Sequence, residues 1–61
     1  MKPKHEEVFR VCKEVTHWSL EAACKGVSYI FSGLEVHRKE ALAAASVAKE
    51  CLDELLGMLQ T

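Results

Sequence analysis

VFRVCKEVTHWSLEAACKGVSYIFSGL, residues 8–34, is the stretch whose periodicity decides the fold. At roughly 100° per residue, Val8, Phe9, Val11, Cys12, Val15, Trp18, Ala22, Ala23, Val27, Tyr29 and Ile30 fall on one side, with Ser19 and Gly26 among them. Glu7, Arg10, Lys13, Glu14, His17, Glu21, Lys25 and Ser28 fall on the other. Apolar residues recurring at i, i+3, i+4 and i+7 describe a helix and not an alternating strand. The apolar arc spans about 200°, twice the ~100° stripe of an ordinary surface helix. An arc that wide meets two neighbours. The rest of the chain supplies one helix, so the second neighbour is expected from another chain.

Upstream, Pro3 suits a first helical turn, where its missing N–H is no loss. Glu6 and Glu7 favour the positive end of the helix dipole, and Met1 and Lys2 are expected to fray. Gly26 is the interior blemish, worth up to about 1 kcal/mol against Ala. It marks either close contact with another helix or a break near Lys25-Gly26.

Downstream, Ser32-Gly33 is the strongest turn signal, because Gly33 accepts the left-handed conformation that ends helices. A second helix is expected over about 35–60, following a first over about 3–32 and a turn at 32–35. Ala41, Ala44, Ala45, Ala48, Cys51, Leu52, Leu55, Leu56 and Leu59 share one of its faces. Glu35, Lys39, Ser46, Lys49, Glu50, Asp53 and Gln60 share the other.

A short link between helices of similar length predicts a single-domain antiparallel αα-hairpin. Folding at Gly33 sets Val27, Ile30 and Phe31 against Ala41, Ala44 and Ala45. It sets Leu52, Leu55 and Leu56 against Cys12, Val15, Ser19 and Ala22. Large would meet small at both ends.

Size points the same way. A chain of 61 residues is marginal as a lone domain and usually needs disulfides, a metal or oligomerisation. Three cysteines at unrelated spacings make no disulfide framework, which suits a reducing, cytoplasmic setting. Oligomerisation is the remaining staple, and the expected fold is an all-α hairpin that dimerises into a four-helix bundle. No run of ~20 apolar residues marks a membrane span, and no apolar signal core follows the basic start. A net charge of -1 exerts no global pull toward nucleic acid or anionic lipid.

The chemistry-bearing residues carry little pattern. Cys12 and Cys51 lie on apolar arcs and read as buried small hydrophobes, about a helical turn out of register with each other. His17, Glu21 and Cys24 share a polar stripe. Structural zinc sites close with four ligands, so solvated side chains are the reading, and neither metal nor cofactor is expected. His37 near the turn reads as a packed, hydrogen-bonded histidine. The serines lack a strand-to-helix elbow, and no glycine-rich phosphate loop exists, so no catalytic residues are assigned. Basic and acidic residues interleave on the outer faces as on any solvated helix, which argues against nucleic acid.

Surplus apolar residues remain. Val11, Val15, Trp18, Ala22, Tyr29, Phe31, Leu42 and Val47 are the expected dimer or partner interface, since Trp and Tyr are enriched in interface hot spots. The function that follows is non-enzymatic protein binding by a small regulator, adaptor or inhibitor. An RNA- or DNA-binding hairpin dimer and a structural subunit of a larger assembly are the alternatives.

Overall fold

A computed structural model describes residues 4–60. The chain is all-helical: α1 (His5–Ser32) and α2 (Glu35–Gln60) pack along each other as a hairpin. The expectations for Met1, Lys2 and Pro3 fall outside the described residues. Lys4 precedes α1 in extended conformation without a capping side chain, and Glu6 and Glu7 occupy the first turn.

The turn follows from one backbone conformation. Gly33 adopts φ 69°, and its N–H donates to the Tyr29 carbonyl at 2.7 Å. A β-carbon in that left-handed region meets the following carbonyl, which is why glycine stands there. The Leu34 N–H, in the link between the helices, donates to Ser32 Oγ at 3.2 Å.

Three contacts between the helices mark the antiparallel register. Arg10 faces Glu54 at 3.9 Å, Glu14 faces the Cys51 thiol at 3.8 Å, and Lys25 faces Glu40 at 3.1 Å. Among the less exposed positions, which also include Cys12, Glu14, Glu21, Gly26, Ser28, Glu40 and Val47, two narrow stripes mark the seam. On α1 these are Val8, Val11, Val15, Trp18, Ala22 and Lys25; on α2 they are His37, Ala41, Ala44, Ala48, Cys51, Leu55 and Met58. Steps of three and four alternate along both, the spacing by which two helices hold one seam over many turns. Val11 is fully enclosed, and Ala44, Ala48 and Cys51 are the other buried residues among those described. By that register Ala44 and Ala48 put small side chains in the seam at the level of Trp18 and Ala22.

Two expectations change. The pairing of large on small is not realised at the turn end, where Ile30 is 78% and Phe31 86% exposed with Val27 and Ala45 also outside, and at the other end only Leu55 enters the seam while Leu52, Leu56 and Ser19 are exposed. A two-helix seam holds only one stripe per helix, and these residues belong to the rest of the wide arc. Gly26 neither breaks α1 nor touches α2: a β-carbon there would meet nothing within 4 Å.

Candidate binding face

The hairpin has two unlike sides. Rotate about 90° from the seam in one sense, at 100° per residue, and α1 presents Arg10 and Glu14, with the seam residue Lys25 at the same margin. The corresponding side of α2 presents Glu40, Glu50 and Glu54. Antiparallel helices turn in opposite senses when viewed from one end, so these rows share a side, as the ion pairs joining them require.

The other sense leads to Phe9, Cys12, Ala23, Val27 and Ile30 on α1. On the second helix and the residue before it, it leads to Leu34, Ala45, Leu52, Leu56 and Leu59. By the same geometry these rows form one face, which on α2 also carries two cations, Arg38 seven residues before Ala45 and Lys49 seven before Leu56. All of its large apolar members are exposed: Phe9, Val27, Ile30, Leu34, Leu52, Leu56 and Leu59. Leu20 and Phe31 lie at the far edge of α1, and Leu42 at the far edge of α2. Val36 stands apart as an exposed apolar residue on the charged side.

Bulk is unevenly distributed along this face. Phe9, Leu52, Leu56 and Leu59 crowd the end with the chain termini; Val27, Ile30 and Leu34 crowd the end with the turn. Between them lie Thr16, Ser19, Ala23, Ala41 and Ala45, a waist of small side chains. The Thr16 hydroxyl donates back to the Cys12 carbonyl at 3.0 Å, so it presents its methyl group and a satisfied oxygen.

The interface residues expected from sequence separate into two groups. Val11, Val15, Trp18, Ala22 and Val47 sit in or beside the intrachain seam, Val11 fully buried and the rest half-buried. Trp18 also takes an edge-on contact from the His17 ring at 4.9 Å. Tyr29 sits at the seam's margin near the turn, whereas Phe31 and Leu42 are exposed. Phe9, Val27, Ile30, Leu52, Leu56 and Leu59 are exposed residues outside that expected set. The sequence does hold a signal for them: the strict three-and-four spacing of the seam, once removed from the wide arc, leaves these positions behind. Lys25 conceals it, being a charged residue in a seam position. Its stem lies along the seam and its ammonium reaches Glu40.

The charged side is internally matched. Glu40 raises the Lys25 pKa, chiefly through their hydrogen bond and then through its charge. Off that side, in the row of Ala45 and Leu52, Arg38 donates through Nε to both Glu35 oxygens, at 2.8 and 2.9 Å, and holds the Glu35 carboxyl below its ordinary range. Arg10 pairs with Glu14 at 3.0 Å. Pairs this exposed contribute modestly to stability, but they leave little unpaired positive charge on this side for a phosphate backbone.

No reactive constellation is assembled among the described residues. Cys12, Cys24 and Cys51 are free thiols. Burial pushes the Cys51 thiol up from its ordinary value, and the Glu14 charge adds to it. Among the described residues no three His, Cys, Asp or Glu side chains are grouped so as to hold a metal ion. His17, Glu21 and Cys24 therefore remain a polar stripe. The hydrogen bond expected at His37 is not made: Nδ1 lies 3.5 Å from Glu40 Oε1 without a bonding partner, while Glu40's other oxygen receives Lys25. An open depression of about 360 Å³ lies against α1, lined by Phe9, Cys12, Lys13, Thr16 and His17. It draws on one helix and is a dent in the apolar face, with Lys13 over the Phe9 ring at 5.5 Å. Among the described residues no helix is long and apolar enough to cross a membrane.

In comparisons with protein-family models, curated proteins and solved structures, nothing matches the chain.

Proposed function

We propose that the protein is a small non-enzymatic regulator, adaptor or inhibitor that binds other proteins and works as a dimer of hairpins, a four-helix bundle in the cytoplasm. One observation carries this reading. The exposed large apolar residues collect on one side of a hairpin whose opposite side is closed by its own ion pairs. An apolar surface running the length of a small helical molecule is the mark of an interaction site, and helix faces are a standard means of capturing helical partners.

The chain's own core supports the same conclusion. Its buried residues, among those described, are one valine, two alanines and a cysteine. Small domains with so little interior depend on a partner for stability.

Salt dependence tests the reading against nucleic-acid binding. Apolar association holds its strength as salt rises, whereas phosphate contacts lose affinity by orders of magnitude between about 50 and 200 mM. Self-association measured by sedimentation across that range is expected to stay constant. Tight, salt-sensitive retention on RNA or DNA, with no self-association, would replace this reading with the nucleic-acid one.

A further inference from the structure

We infer that the apolar face is covered by a second copy of this chain, packed waist on waist, so that Ala23 and Ala45 of each protomer lie at the centre of the interface. This rests on the self-association proposed above and goes further by assigning the face and the point of closest approach.

Three observations select a second copy as the occupant. The first is area. The hairpin measures 46 Å by 14 Å between Cα positions. Even before side chains widen it, that exceeds the ~500 Å² per partner at which interfaces become specific. The second is length. The face runs from Phe9 and Leu59 at one end to Ile30 and Leu34 at the other, with Arg38 and Lys49 set among its apolar residues on α2, so a single short helix leaves much of it wet. A hairpin with the same 46 Å axis covers it completely.

The third is shape. Straight helices in bundles cross at about 20°, closest at the crossing and drawing apart toward their ends. Such a pair needs small side chains in the middle and large ones at both ends. The face has that profile in its side chains near the centre: Ser19, Ala23 and Ala45 lie between the bulky clusters, and Lys49 beside them carries its charge on a flexible stem that can reach the edge. Both partners must carry the profile, which an isologous two-fold pair provides by symmetry. Leu20 and Leu42 are the large apolar residues nearest the waist, and they lie at the outer edges of α1 and α2.

The test places bulk at the waist without touching the seam. Ala23 and Ala45 are exposed in the hairpin, so Ala23→Trp and Ala45→Trp leave the intrachain packing intact. The wild-type chain is expected to sediment at twice its 6.8 kDa, and both variants at the monomer mass at the same concentration, with helicity retained. Ala43→Trp, at an exposed position on the charged side of α2, is expected to remain dimeric. A dimer that survives both waist variants overturns this inference and leaves the proposed function standing; a monomeric wild type overturns both. Should the waist variants lose their helices, nitroxide labels decide. They are placed singly at positions 23 and 43 of a chain whose three cysteines are serine. A shorter label-to-label distance at 23 than at 43 supports the inference, and the reverse order, or no dipolar coupling at either, overturns it.

Discussion

Lys25 of α1 and Glu40 of α2 meet across the seam, ammonium to carboxylate, at 3.1 Å. The contact joins the helices near the turn, where the neighbouring apolar residues Val27, Ile30 and Phe31 all point elsewhere. Lys25→Glu should lower the thermal midpoint, and the double exchange Lys25→Glu with Glu40→Lys should recover most of the loss. The raised Lys25 pKa fixes the sign of the pH dependence. Its contribution is complete below the unfolded-state lysine value and disappears as pH rises through the higher folded value. Melting in alkaline buffers checks this: wild type should lose stability there, and Lys25→Ala should show a flatter profile.

Glu35 gives the opposite limb. Arg38 lowers its pKa, so its contribution is present above the unfolded-state glutamate value and is lost as pH falls through the lower folded value. Glu35→Gln should therefore be less stable than wild type at neutral pH and approach it in acid. Thermal melts of the two proteins in parallel at both pH values measure the difference.

Val11 is the fully enclosed side chain among those described. Removing its two methyl groups should cost about 2 kcal/mol, from lost burial at ~0.8 kcal/mol per carbon plus a residual cavity. For a domain this small that corresponds to a fall of roughly 10 °C in midpoint. Ala48→Leu in the same seam should destabilise by a comparable ~1–3 kcal/mol through overpacking.

The glycines should divide by backbone conformation. Gly33 needs its positive φ, so Gly33→Ala should cost about 1–2 kcal/mol. Gly57 lies within α2, and a β-carbon added there would meet nothing within 4 Å. Gly57→Ala should therefore gain up to about 1 kcal/mol. Denaturant midpoints of the two variants should move in opposite directions.

The three thiols report on the face independently. Cys24 is exposed, Cys51 is buried with its pKa raised, and Cys12 is half-buried on the apolar side. Alkylation of the native protein should be fast at Cys24 and slow at Cys51. Cys12 should be protected at concentrations where the dimer forms and become reactive on dilution. Mass spectrometry of timed samples reads all three.

The hairpin itself is legible in the sequence because both of its determinants are local. Helical periodicity runs through residues 8–34, and Gly33 can be read as a left-handed stop without knowledge of any contact. How the wide arc divides is harder to read. A wheel at 100° per residue averages over the arc and places Val11, Trp18 and Ile30 together, although Val11 is enclosed and Ile30 is open to solvent. The division depends on which stripe meets α2, and that depends on register. Register is marked by long-range pairs such as Arg10 with Glu54 and Lys25 with Glu40, which no local pattern contains. Ala45 shows the consequence: one residue from Ala44 in sequence, it faces away from the seam that Ala44 fills.

Sedimentation equilibrium of the purified 61-residue chain at micromolar concentration is the sharpest check on the pairing of hairpins. A mass of twice 6.8 kDa is expected, unchanged by added salt. A cooperatively folded species of 6.8 kDa would refute the pairing, because the hairpin would then be stable with its whole apolar side in water.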